Sequence, residues 1–401
     1  MKRLSIAAVS AALLCASPAF AQMSGGAVRI LVLNDQSGGF SDNNGAGSLI
    51  AAQMAVEDFG GKVAGAPIEV LVADHLNKPD VGSSVAREWI DTRGVDAVVD
   101  VPVSSVALAV NSIVRDRNKV LLLSSAGASN FVQPPACNPN VVQWTSDIWV
   151  LANASVNSAF KEGLDTWFII YADFTSGNAF RDDIRTLVAQ KGGKVVGEAA
   201  HPNFASDFSS QIAKAQASGA KIVAIASFGN DMTNIAKQAN EFGLTRKGQK
   251  LMALNAFITD IDALGLNGAR GLTFTNSFYW DRNEQTRAWS RRFMTRHRGR
   301  APTMNQAGVY ASVLHYLKAV QATKSDDGKS VVRKMKELPT DDPLFGKGTI
   351  RADGRKLHDF YTYRVKSASE SKGPWDYYDL VATIPAKDAF RPMLPECDFS
   401  K

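Results

Sequence analysis

From residue 28 onward the chain alternates short β-branched apolar runs with longer stretches whose apolar positions recur every three to four residues. Residues 28–34, 68–73, 97–101 and 120–124 read as strands. Between them 46–59, 81–92 and 105–117 read as helices, the first with Leu49, Ala52, Met54, Ala55 and Val56 at its apolar positions. Strands that are apolar throughout are buried on both faces, so the pattern predicts a parallel sheet covered by helices on either side. A second series follows: helix 150–162, strand 167–171, helix 179–191, strand 194–199, helix 208–217, strand 222–226, helix 231–242 and strand 250–254. An apolar, aromatic stretch over 271–279, helices over 284–297 and 306–323, and strands over 348–351, 360–366 and 377–384 come after it. That is more structure than the second series needs. The economical reading is α/β, with two doubly wound parallel-sheet lobes joined by a multi-crossing hinge. No short repeat, low-complexity tract or Gly/Ser linker parts the lobes. A ligand site is expected in the cleft between them, at the carboxyl ends of the strands.

Composition narrows the class. The 401 residues, 45% hydrophobic and 21% charged, exclude a disordered or fibrous chain. A formal charge of +6, with no run of five like charges, gives no reason to expect nucleic acid. Lys2 and Arg3, the apolar stretch 4–16 and Ser17-Pro18-Ala19-Phe20-Ala21 form a secretory signal peptide, cleaved near Ala21. Its apolar stretch is too short to span ~30 Å of hydrocarbon, and no later one reaches about 20 residues. The expected product is periplasmic and has no membrane span. Lipidation at Cys15 is the rival reading, against which Leu13 and Leu14 stand where a lipobox has small residues. Beyond this segment only Cys137 and Cys397 remain, each in a loop-like context beside Pro or Asn. Two cysteines in an exported chain usually pair, so a disulfide pinning the C-terminal tail is expected. His75, His201, His297, His315 and His358 are scattered without metal-ligand spacing, and no cofactor is implied.

The chemistry-bearing motifs narrow it further. Gly45-x-Gly47 with Asp74 has the outline of a dinucleotide fingerprint, but Ile50 occupies the third glycine position and the preceding loop is too long. No strand-to-helix turn carries a nucleophile with a base, and the pairs Asp182-Asp183, Asp326-Asp327 and Asp341-Asp342 read as solvated surface. An enzyme is not expected. More informative are Ser104 and Ser105 after one strand and the small-residue turn Ser125-Ala126-Gly127-Ala128-Ser129 after the next. Capping explains either alone. Together they place amides and hydroxyls at one sheet edge, where helix N-termini favour carboxylates. Phe174, Phe228 and Phe257 each follow a strand of the second lobe, and Trp144 stands at the exit of the first. Rings at strand ends are usually packing, yet three along one edge describe a ring-lined wall.

Further motifs run in order along the chain: Ser37-Gly38, an A-x-x-A-V-x-D-x-G-G pattern within 51–61, Ser104-Ser105, the turn 125–129, Gly192-Gly193-Lys194-Val195-Val196-Gly197, Asp207-Phe208-Ser209 and the helix within 308–319. In this order they resemble the type I periplasmic solute-binding proteins of ABC transporters, in the branched-chain amino-acid (Leu/Ile/Val) class, across nearly all of 27–385. The resemblance implies residues 22–145 plus 277–350 as lobe 1, 146–276 plus 351–385 as lobe 2, and 386–401 as a C-terminal tail. It implies a monomer that closes over a small organic solute and delivers it to an inner-membrane ABC permease. A ligand-sensing module reporting to a membrane partner would share the fold. The family's carboxylate site maps to Ser104, Ala126 and Ala128, with Ser105 and Gly127 as candidates beside them, and its first-loop contact to Asn44. Ser176 stands where relatives carry an aromatic, Phe228 matches an aromatic, and Asn255 replaces the acid that pairs an α-ammonium. A neutral amide supplies no ion pair. A carboxylate, an amide or a small aromatic acid is therefore expected over a zwitterion, unless Asp147 serves as substitute cation partner. Phe174, Phe257 and Trp144 complete the candidate set.

Overall fold

In the computed structural model, which describes residues 23–203 and 205–400, the apolar runs pair as two parallel sheets. The expected signal peptide and Cys15 lie outside the described residues. β1 (Val28–Asn34), β2 (Lys62–Val63), β3 (Ala66–Asp74), β4 (Ala97–Asp100), β5 (Val120–Leu123) and β6 (Val141–Gln143) form one sheet in the order β2-β3-β1-β4-β5-β6. All pairs in it are parallel except the β2–β3 hairpin. The strands are apolar on both faces because both are packed. Ile30, Val32, Val99 and Leu122 face one core, and Leu31, Leu33, Val98 and Leu121 face another. Each such fully buried side chain contributes about 1.5–3 kcal/mol.

The second sheet starts with β7 (Thr166–Ala172), β8 (Lys194–His201), β9 (Ile222–Ala226), β10 (Lys250–Ala253) and β11 (Thr273–Asn276). It too has a core on each face, Phe168 and Ile170 on one side, Trp167 and Ile169 on the other. After β11 the chain returns to the first lobe through helices Glu284–Arg296, Met304–Thr323 and Gly328–Glu337, whose Phe293, Tyr316 and Val331 join the core of β1. Phe278 packs into that core while the next residue, Tyr279, packs into the second lobe, which fixes where this crossing lies. A small antiparallel sheet follows, from β12 (Thr340–Asp342), β13 (Gly346–Ile350) and β14 (Lys356–Leu357). β15 (Phe360–Val365) and β16 (Tyr378–Ile384) then complete the second sheet, antiparallel, in the order β16-β15-β11-β10-β9-β7-β8.

β14 pairs with β13, so Lys356 and Leu357 belong to the small sheet and not to the second large one. Three helices went unread in the sequence, the four-residue Ala386–Ala389 among them. Ile258–Ala269 is broken at Gly265, whose φ of 71° is open to glycine, and Gly328–Glu337 is short and mostly charged. Cys137 and Cys397 form a disulfide with Cα atoms 5.8 Å apart. No helix among the described residues is long and apolar enough to cross a membrane.

Candidate functional site

At the carboxyl edge of each sheet the strands hand over to helices, so helix N-termini collect there. In the first lobe these helices are Gly45–Phe59, Pro79–Arg93 and Ser104–Asp116; in the second they are Thr175–Gln190, Ser209–Ala217, Gly229–Glu241 and Ile258–Ala269. None of the seven receives a capping hydrogen bond from its N-cap side chain, the caps being Asn44, Lys78, Val103, Phe174, Phe208, Phe228 and Phe257. Four of the helices that begin elsewhere are capped in the ordinary way. Asp147 accepts from Val150 N (2.8 Å), Asn283 from Thr286 N (2.9 Å), Thr303 from Gln306 N (3.3 Å) and Asp327 from Ser330 N (2.9 Å). A side-chain cap is worth about 1 kcal/mol. Asp207 accepts from Ser209 N and Asp260 from Phe257 N, both at 2.9 Å; at the other edge helices the missing cap leaves backbone N–H groups and the positive helix ends open to another acceptor.

The two edges meet. Thr259 donates to Asn43 across the lobes, and Phe257 packs with the core of the first. Ile148 N donates to Gly127 O at 2.8 Å, and Trp149 N to Ser129 Oγ at 3.3 Å.

The first edge is polar. Ser104 Oγ accepts from Ala128 N at 3.1 Å, which ties the two turns together and leaves the hydroxyl hydrogen to donate outward. Ser105 is exposed, Ser104, Gly127 and Ala128 are half-buried, and Ala126 is buried. Asn44 is buried, donating to Asp100 Oδ1 at 2.7 Å and accepting from Asn305 at 3.4 Å, so it braces the edge from beneath. Asp100 is the hub: its carboxylate also accepts from Asn34 Nδ2 (2.9 Å) and Ser125 Oγ (2.5 Å). Burial pushes this carboxyl above the ordinary range while hydrogen bonds from Ser125, Asn34 and Asn44 pull it back. Asp100 and Val101 lie at φ 84° and 51°, a strained passage for a β-branched residue, on the order of 1–3 kcal/mol each.

The second edge is aromatic. Phe228 lies 5.6 Å from Phe174, edge-on, and 5.6 Å from Phe180. Phe174, Phe228, Ser176 and Asn255 are half-buried along this wall, and Phe257 is buried. Behind it, the buried His201 ring bridges Pro202 O, 2.8 Å from Nδ1, and Ser227 Oγ, 2.6 Å from Nε2.

Two candidates fall elsewhere. Trp144 has no exposed surface and sits inside the first core, 5.7 Å from the His315 ring, as packing and not as a cleft wall. Asp147 is neutralised within the protein: Oδ1 caps its helix, and Oδ2 pairs with the buried Arg355 guanidinium, which also donates to Thr145 O (2.7 Å) and Gln143 Oε1 (2.8 Å). It is not available as a substitute ammonium partner. Asp100 and Arg355 were missed by sequence reasoning. An acid closing an apolar strand before Val101-Pro102 was a usable signal for Asp100, whereas Arg355 offered none.

The Periplasmic binding protein family profile matches residues 27–373. A periplasmic binding protein from Burkholderia mallei is 43% identical over 94% of this chain and 98% of its own, with a TM-score of 0.84. A branched chain amino acid ABC transporter periplasmic ligand-binding protein from Burkholderia xenovorans is 39% identical over 91% of this chain and 97% of its own, with a TM-score of 0.87. A solute binding protein of an ABC transporter from R. palustris, in complex with benzoate, is 18% identical over 90% of this chain and 98% of its own (TM-score 0.76), a likeness of fold. No protein of curated function matches the sequence significantly.

Proposed function

Because the chain belongs to the periplasmic binding protein family, the solute-binding components of ABC transporters and not enzymes, we propose that it captures a small organic carboxylate with an apolar or aromatic body. The family places the protein in the periplasm with a membrane permease as its partner. The observation that carries the ligand class is the pairing of an uncapped, serine-bearing helix N-terminus on one edge with an uncapped, phenylalanine-bearing series on the other.

In this reading the carboxylate meets the Ser104 hydroxyl and the first amides of helix Ser104–Asp116, with Ser105 and the turn Ala126-Gly127-Ala128 alongside. Phe174, Phe228 and Phe257, with Ser176 at the next helix turn, enclose the body. Asn255 faces it as a neutral amide, and Asp147 is held by Arg355. A buried ammonium would lack the counter-charge it requires. The benzoate named for the R. palustris protein is a ligand of this kind. A zwitterionic aliphatic amino acid is the second reading, favoured by the name of the Burkholderia xenovorans relative.

Binding from both edges closes the lobes, taken as 22–145 with 277–357 and 146–276 with 358–385, since the full contact set exists only when they meet. We place the signal peptide at 1–21 and read the mature protein as a monomer. Calorimetry and thermal shift with benzoate and with leucine decide the ligand class; a ligand at 100 times its Kd adds about 2.7 kcal/mol. Benzoate-type binding that Asn255→Glu weakens supports the proposal. Tight binding of leucine by the wild type overturns it in favour of the amino-acid reading. Stimulation of a permease ATPase by the loaded protein separates transport from sensing.

A further inference from the structure

After β16 the chain does not stop at the second lobe. Helix Ala386–Ala389 docks on helix Ile148–Lys161, where Asn153 Nδ2 donates to Asp388 O (2.7 Å) and Ala389 O (2.9 Å). Phe390 then stacks at the hinge, its ring 5.7 Å from Phe360 at the start of β15 and 5.5 Å from His358, with the Arg355 guanidinium 5.3 Å above it.

Arg391 reaches both lobes at once. Nη1 donates to Gln133 Oε1 of the first lobe at 2.8 Å, while Nη2 lies 3.5 Å from Asp183 Oδ1 of the second. Its guanidinium also covers Trp149, and its carbonyl accepts from Arg351 Nη1 at 2.6 Å, just before the last crossing. Gln133 in turn donates to Ser129 O at 3.1 Å, at the end of the small-residue turn. Eight residues after Ala389 the chain is bonded to the first lobe through Cys397–Cys137. Pro392 and Pro395 lie within this span, and Phe390 and Leu394 are extended. The span ends in a short 3-10 turn, Pro395–Cys397, closed by Cys397 N to Leu394 O at 3.1 Å; with two prolines and this turn it resists bending and acts as a strut and not as a slack tether.

We propose that the C-terminal tail is a fourth, covalently closed crossing of the hinge, with Arg391 as the positioning residue that bolts it to both lobes and limits how far the cleft opens. Three chain crossings connect the lobes near 144–148, 277–279 and 358–359, and the tail lies beside the first and the last of them. A strut anchored on both bodies next to the rotation axis permits closure but resists splaying and twisting. Without it, the ligand-free protein samples wider openings, and a smaller share of molecules is ready to close.

The test needs no solute. Small-angle scattering and hydrogen exchange are recorded on the ligand-free oxidised protein, on the double variant Cys137→Ser/Cys397→Ser, and on Arg391→Ala, which keeps the bond. The proposal expects a larger radius of gyration and a broader distance distribution in both variants. It also expects faster exchange in the first turn of helix Ile148–Lys161 and in β15, with the sheet interiors unchanged. If the double variant loses only thermal stability, with scattering and crossing-point exchange as in the wild type, the tail is a clamp against unfolding and the proposal is wrong. Should the double variant not fold, Arg391→Ala decides by the same two readouts. An Arg391→Ala protein with wild-type scattering and exchange overturns the role of the bolt.

Discussion

The two sheet edges that face each other follow one architectural rule and fill it with opposite chemistry. On the first, Val101 is forced to a φ of 51° and a buried carboxylate gathers Asn34, Asn44 and Ser125 so that two turns present amides and hydroxyls. On the second, four helices in a row start behind a phenylalanine. Neither choice favours the helix it precedes, since neither a Phe nor a Val side chain satisfies an N–H. The difference is one of chemistry: the first edge presents amides and hydroxyls and the second a row of aromatic rings, which the proposed reading matches to a charged head group and an apolar body. The stability given up at both is held by helices that begin elsewhere, behind Asp147, Asn283, Thr303 and Asp327.

The comparison can be broken most forcefully at Trp144. As a core residue of the first lobe, Trp144→Ala should destabilise the protein by about 3–5 kcal/mol in denaturant melts. A stable variant with lost binding would return Trp144 to the cleft. Ser104→Ala should leave the melt almost unchanged and weaken carboxylate binding by about 1.5–3 kcal/mol in calorimetry, the loss of a hydrogen bond to a charged group. Equal affinity would remove the first edge from head-group recognition.

Asp260, the one acid the second edge holds against Asn43, has its carboxyl pushed up to about 6, mainly by burial. Its ordinary value is near 3.8, so the folded state prefers the protonated form, and the stability this carboxyl contributes below pH 4 is lost as pH rises through 6. Asp260→Asn should therefore raise the melting temperature at pH 8, on the order of 1–2 kcal/mol, with the gain vanishing near pH 4. A gain equal at both pH values would mean that the charge is not what the seam resists. The smallest effect is the most diagnostic. Val103→Ser supplies the missing cap of helix Ser104–Asp116, so stability should rise by about 0.5–1 kcal/mol while carboxylate affinity falls, because the new hydroxyl competes for the same N–H groups. If stability and affinity rise together, the uncapped terminus is not where the anion sits.

The sheets were legible because their strands are buried on both faces. Runs such as Val120–Leu123 carry no competing signal, and the membership of the family followed from motifs spread along the chain. What stayed hidden was set by partners distant in sequence. Trp144 reads as a ring beside a crossover until helix Met304–Thr323 covers it, and Asp147 reads as an available charge until Arg355, 208 residues away, arrives. The break at Gly265 hid a helix whose apolar spacing is otherwise regular. The expected disulfide between Cys137 and Cys397 is present; only two cysteines lie outside the expected signal peptide, which left a single pairing to read.

The empty caps have a consequence for how such a protein changes over generations. A position that the scaffold does not use for its own stability can be exchanged at little risk to folding. As helix caps, Phe174, Val103 and Phe228 are three such positions, although Val103 and Phe228 also pack against the neighbouring cores. On the proposed reading of the site, a mutation there alters what is recognised before it alters whether the chain folds. New substrate preferences can therefore be explored one residue at a time from a protein that stays intact throughout.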